Sequence, residues 1–184
     1  MTHLDTELQL LKGESISMWN LVILQLKKAQ DSLFRFDKDL AREVVLNEKR
    51  VNAYELKIDR DCENIFALFN PLAVDLRFVL AVLKINNNLE RTGDIAEGIG
   101  KFIVSEKSSF DPSLLEISQV QKMFDESISM LTRVLSAFET EDTSLARSVF
   151  KQDEILDIIN VSANTVIADF IRSNPDKLEQ SLYI

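Results

Sequence analysis

The sequence of 184 residues holds one Cys, one His, three Pro and four Gly. Cys62 alone excludes a disulfide within the chain and any Cys-based zinc finger. His3 alone removes multi-His metal sites and argues against Ser-His-Asp or Cys-His chemistry. The scarcity of Gly and Pro leaves little material for turns, so a few long helices are expected. Long apolar runs are also missing. The most apolar stretch, Leu76 to Ile85, is interrupted by Arg77 and Lys84 and has about half the length of a membrane span. The start Met1-Thr2-His3-Leu4-Asp5 lacks the basic segment and apolar run of a signal peptide, so a cytoplasmic protein without membrane insertion is expected. Positive charge is in short supply: 21 Lys and Arg face 30 Asp and Glu, a net charge of -9. That balance argues against binding a phosphate backbone, so no nucleic-acid partner is expected. The 46% hydrophobic and 28% charged content describes a globular chain of one domain or two small ones.

What the sequence does contain is helical periodicity, almost without interruption. Leu4, Leu8, Leu11, Met18, Val22, Leu26, Ala29, Leu33 and Phe36 recur at three-or-four spacing and predict a first helix. Phe36 to Asp39 reads as a turn with an Asp cap. A second series runs through Leu40, Val44, Val51, Tyr54, Ile58, Ile65 and Leu68. Asn70-Pro71 stops it, with Asn70 read as a cap and Pro71 as the first position of a third helix that ends near Val104. Residues 105–112 form a polar linker. A fourth helix is expected to about Phe138, a turn over 139–143, a fifth helix to about Ser173, and a short sixth segment after Asn174-Pro175.

The chain repeats itself. Leu40-Ala41-Arg42 returns as Leu145-Ala146-Arg147 and Val44 as Val149, each shifted by 105. Asn70-Pro71 returns as Asn174-Pro175, shifted by 104. The predicted fold is therefore all-α, two tandem three-helix bundles, with a first bundle over 1–104, a linker over 105–112 and an incomplete second bundle over 113–184. The repeat asks for roughly 20 to 30 more residues to complete the sixth helix. Without them an apolar groove is expected between the fourth and fifth helices, along with something to cover it.

A polar stripe obeys the same repeat. Glu48, Asn52, Glu55 and Asp59 share one helix face, and a shift of 105 converts them to Asp153, Asp157, Asn160 and Asn164. Asn87, Glu90, Asp94 and Glu97 form a similar series on the third helix. Stacked carboxylates repel by a few tenths of a kcal/mol per pair, and a shared cation removes that cost. Oxygen donors alone suit Mg, Ca, Mn or Fe, with Zn also admissible. The ordinary alternative is a solvated helix face. A ferritin-like di-metal oxidase needs Glu-x-x-His pairs, which one His cannot supply. Among other residues, Cys62, Trp19 and most Phe are expected in the core, Arg91 is expected to pair with Asp94, and Gly93 to allow close helix approach. Arg77 has no acid three or four residues away.

Three runs carry a family resemblance: Val51-Asn52-x-x-Glu55-x-x-Ile58-Asp59, then Pro71-x-Ala73-x-Asp75-Leu76-Arg77, then Leu89-Glu90-Arg91-x-Gly93-Asp94. Together and in this order they strongly resemble the PhoU family of bacterial phosphate-transport accessory and regulatory proteins. The resemblance implies two three-helix bundles whose surfaces carry acidic E/D-x-x-x-D motifs that bind metal clusters. Carried over, those motifs give Glu90 and Asp94, Glu48 with Asn52 followed by Glu55 and Asp59, and Asp153 with Asp157. The metal it implies is Fe, Zn, Mg or Mn. It implies no enzyme activity. It implies an adaptor that contacts the ATPase of the phosphate ABC transporter and a sensor kinase, represses phosphate-starvation signalling, and forms a homodimer. A structural or dimerisation bundle without metal, or a carboxylate-metal protein unrelated to phosphate, are the alternatives.

Overall fold

The computed structural model describes residues 2–182. Three long helices come first: α1 (His3–Arg35), α2 (Lys38–Phe69) and α3 (Ala73–Ser105). Each start and stop has a local cause. Thr2 and Asp5 form a reciprocal capping box at the start of α1, with the Asp5 N–H donating to Thr2 Oγ1 at 3.1 Å. Asp37 caps α2 by accepting from the N–H groups of Asp39 and Leu40, both at 3.0 Å. Asp142 does the same for Ser144 and Leu145 at 2.9 and 3.0 Å, so the 105-residue repeat extends to the capping atoms. Phe36 and Glu141, the residues just before these caps, both take left-handed backbone angles, with φ of 51° and 59°.

The second half is α4 (Pro112–Ile117), α5 (Val120–Thr140), α6 (Thr143–Ser148), α7 (Phe150–Ser173), a 3-10 turn (Pro175–Lys177) and α8 (Leu178–Ser181). Three boundaries differ from those the sequence pattern predicts. Asn70 does not start α3. It closes α2 in a left-handed conformation at φ 47°, and α3 begins only at Ala73. Asn tolerates that conformation, so it serves either helix end, and the sequence pattern does not distinguish them. The single fourth helix is two, because Gln119 at φ 54° turns the chain between α4 and α5. The fifth is also divided: the N–H of Gln152 donates to Val149 O at 2.9 Å, a 3-10 turn that separates α6 from α7.

Trp19, Val22, Ile58, Cys62, Val79 and Val82 fill one core between α1, α2 and α3, and Leu26, Ala41, Val44, Ala96 and Ile103 fill a second toward the other end. Helix α5 completes both. Leu135 is buried in the first core and Phe124 in the second. Phe138 lies 5.8 Å from the Trp19 ring and 6.0 Å from that of Phe78, within aromatic contact range. The first bundle is thus partly closed by a helix of the second. Polar contacts join the start of α7 to α5, and half-buried Ile155, Leu156, Val166, Ile167 and Phe170 follow along the helix. Arg133 on α5 donates to Gln152 Oε1 at 3.1 Å and Ser148 Oγ at 2.7 Å, and Gln152 donates to Glu126 Oε2 at 3.1 Å. Within α7 only Ile159 is fully buried, and Phe150, Ile158 and Val161 are more than two-thirds exposed. Exposed apolar side chains are therefore present on α7. The short C-terminal helix packs down: the N–H of Asp111 donates to Gln180 Oε1 at 3.2 Å and Ser181 is buried. Among the described residues no helix is long and apolar enough to cross a membrane.

Candidate functional site

Helices α2 and α3 lie side by side, and two glycines let them come close. A Cβ on Gly100 would stand 3.0 Å from the backbone oxygen of Ala41. A Cβ on Gly93 would stand 2.9 Å from Glu48 Oε2 and 3.0 Å from Val51 Cγ1. The expected role of Gly93 in close approach is thereby met. The absent side chain is what allows the Glu48 carboxylate to lie beneath α3.

Glu48 is 3% exposed, and neither carboxylate oxygen has a hydrogen-bond partner among the described residues. An unpaired buried charge is costly, so the proton is held more tightly. Burial pushes its pKa up to about 7, helped by the negative charges of Asp94, Glu97 and Glu90 and opposed by Lys101. Further along, burial and then Asp59 raise the pKa of Glu55. Burial followed by Asp94 and Glu55 raises that of Glu90, with Arg91 acting the other way. Gly93 of α3 against Glu48, and Asn86 of α3 against Glu55 and Asp59, bring the stripes of α2 and α3 together. Asn86 supports their surface from below. Its amide donates to Asp59 Oδ1 at 2.8 Å and to the backbone oxygen of Glu55 at 3.0 Å. The run Asn86-Asn87-Asn88 hides it, but Asn86 falls four residues after Val82 and three before Leu89, in the register of the buried face of α3.

Asn52 is exposed at the edge of this surface. The pairing expected of Arg91 with Asp94 is absent from the ion pairs of the described residues. In the second bundle Asp153 and Asp157, with Asn160 and Asn164, are on α7, and Asp153 and Asp157 are exposed. They are in register with Glu48 and its neighbours but have no counterpart of its burial.

Among the described residues no three His, Cys, Asp or Glu side chains are gathered closely enough to hold a metal ion. The donor set along α2 and α3 nevertheless fits a hard cation in kind. It consists of carboxylate and amide oxygens, it concentrates like charge, and the two buried oxygens of Glu48 are without a donor. Cys62 is buried in the core as expected, and burial pushes its thiol up to about 12, against the thiolate form.

Comparison with known proteins matches the PhoU domain family to residues 16–103 and 120–184. The chain is 32% identical over 158 residues to the phosphate-specific transport system accessory protein PhoU homolog of Burkholderia sp, covering 84% of this chain and 66% of that protein. It is 32% identical to the Escherichia coli (strain K12) accessory protein PhoU, covering 83% of this chain and 63% of that protein. It thus spans just under two thirds of the length of these relatives. The crystal structure of PhoU from Pseudomonas aeruginosa superposes with a TM-score of 0.89 at 26% identity, over 97% of this chain and 85% of that one. That of the phosphate transport system regulatory protein PhoU from Streptococcus pneumoniae gives 0.83 at 27% identity, over 98% and 84%.

Proposed function

This chain belongs to the PhoU family, and on that premise we propose that it is a non-catalytic accessory protein of phosphate uptake. It acts as an adaptor at the phosphate ABC transporter, contacting the transporter ATPase and a sensor kinase, and keeps phosphate-starvation signalling silent when phosphate is plentiful. The observation that carries this reading is the match of the PhoU domain to both bundles, residues 16–103 and 120–184. The test is co-purification with the ATPase and the kinase from cells grown in high and low phosphate, with a full-length relative as control. Retention of either partner is the expected result. If neither is retained at any phosphate level while the control retains both, the adaptor reading fails for this chain.

The reading includes metal. The residues that would hold it are Glu48, Glu90 and Asp94, with Asn52, Glu55 and Asp59 along the same surface and Asp153 with Asp157 as the counterpart on α7. A bound Fe, Zn, Mg or Mn ion would neutralise the like charge there and tie α2 to α3. Support comes from the unpaired buried oxygens of Glu48 and the raised pKa values of Glu48, Glu55 and Glu90. Glu90→Ala with Asp94→Ala is expected to remove most metal from protein purified without chelator, as read by elemental analysis. Unchanged metal content in that variant would refute the assignment. A homodimer is also part of the proposal, supported by the exposed Phe150, Ile158 and Val161 of α7, and a mass measurement in solution decides it.

A further inference from the structure

The outer face of α2 differs in charge from the rest of the molecule. Leu46 is 65% exposed and Leu56 63% exposed, with exposed Ala53 between them. At about 100° per residue these three fall within about a third of the helix circumference. The other residues in that sector between positions 42 and 60 are Arg42, Lys49, Arg50, Lys57 and Arg60, all exposed. No acid lies within it, although the chain carries a net charge of -9. Arg42 is held by Asp39 at 2.5 Å and Lys57 by Glu14 at 2.5 Å. Lys49, Arg50 and Arg60 have no ion pair among the described residues, so three unneutralised cations surround an apolar line.

The width of the stripe says what kind of surface fits it. On the α1 side it is bordered by Glu43, ion-paired to Lys28, and by Asp61. On the α3 side lies the carboxylate surface of Glu90 and Asp94. A membrane plane or a duplex broad enough to meet the cations would also press its phosphates against these acids. A single helix, about 10 Å across, would not. Leu46, Ala53 and Leu56 repeat at seven and three residues, the spacing at which a second helix interdigitates, and the small Ala53 leaves room for close approach.

We propose that this stripe docks an acidic amphipathic helix of a partner protein, with the partner's apolar residues on Leu46, Ala53 and Leu56 and its carboxylates at Lys49, Arg50 and Arg60. The proposal rests on the adaptor reading for the existence of a partner and adds which face is used and what it recognises. Charge complementarity of this kind sets specificity and the rate of encounter.

The experiment uses the whole chain and two helical peptides of about 18 residues. One carries Leu every third or fourth position flanked by Glu, and the other has Lys in place of each Glu. The Glu peptide is expected to bind, to weaken at least tenfold when salt rises from 50 to 300 mM, and to weaken at least tenfold with Lys49→Glu plus Arg60→Glu. Both substitutions are on exposed residues, and an unchanged melting curve verifies folding. The proposal is overturned if the Glu peptide does not bind, if the charge-reversed chain binds it equally, or if the Lys peptide binds equally well. Binding to phosphatidylglycerol vesicles in preference to the Glu peptide overturns it in favour of a membrane. None of these results bears on whether the transporter ATPase co-purifies, so the two readings fail separately.

Discussion

In metal-free protein, Glu48→Gln is expected to flatten the dependence of stability on pH and to make the chain about 3 kcal/mol more stable at pH 8 relative to the wild type's own trend from pH 4. The reason lies in the direction of the shift. The Glu48 pKa stands at about 7 in the folded chain against an ordinary value of 4.5, because burial and the neighbouring Asp94, Glu97 and Glu90 oppose its charge. Below pH 4.5 both folded and unfolded states hold the proton, and nothing is lost. Between 4.5 and 7 the unfolded chain releases it and the folded chain does not, so stability falls steadily as pH rises. Above 7 the folded chain also ionises, and the loss levels off at its full value. Gln has the shape of the protonated acid and no charge to bury, so its curve lacks this fall. Urea unfolding at several pH values in the presence of chelator measures it. Parallel curves for the two proteins would mean that the Glu48 carboxylate is solvated after all. A divalent cation added at pH 8 is expected to recover the loss in the wild type and to do less for the Gln variant, since a ligand that binds only the folded state stabilises it by mass action.

The second large effect concerns the glycines of α3. Glycine inside a helix normally costs about 0.5–1 kcal/mol relative to alanine. At Gly13 and Gly98 an added methyl group would meet nothing within 4 Å, so alanine at either is expected to stabilise the chain by about that amount. Gly100→Ala is expected to do the opposite, by about 1–3 kcal/mol, because its Cβ meets the Ala41 carbonyl oxygen at 3.0 Å and the side chain of Val45 at 3.2 Å. A backbone oxygen within a helix cannot swing away, so α2 and α3 must separate along their length. At Gly93 the obstacle is the Glu48 carboxylate at 2.9 Å, together with Val51. There the penalty should shrink when Glu48 is shortened: the double variant Gly93→Ala with Glu48→Ala is expected to be less destabilised than the sum of the two single changes. Thermal or urea melts of these variants test this. Equal effects at Gly98 and Gly100 would rule out the close approach of the two helices.

Much of this is legible in the sequence. The caps at Asp37 and Asp142 follow from the capacity of an Asp side chain to accept from the next two or three backbone N–H groups, a property that reaches no further than one turn. The placement of Glu48, Asn52, Glu55 and Asp59 on one face follows from 3.6 residues per turn. The PhoU motifs lie in the stretch 51–94, and the comparisons and the fold agree with them. The helix end that Asn70 serves is not legible, because the same side chain suits both. The breaks at Gln119 and Val149 carry no Pro or Gly that would mark them. Asn86 keeps the spacing of Val79, Val82 and Leu89 on the core face of α3, but as an amide in a polar run it breaks the apolar series that would mark it.

The sequence by itself determined the all-helical class, the two tandem copies and the faces on which the acids stand, because helix periodicity, capping and repetition are local properties of a chain. Tertiary structure decided which of those acids is buried. Glu48 and Asp153 hold equivalent places in the repeat, yet Glu48 is 3% exposed and Asp153 is open to solvent. The difference lies in what crosses each of them. At Glu48 a glycine on another helix lets the backbone of α3 pass over the carboxylate and shut out water. Charge burial depends on that crossing and not on the residue's own neighbours in the chain.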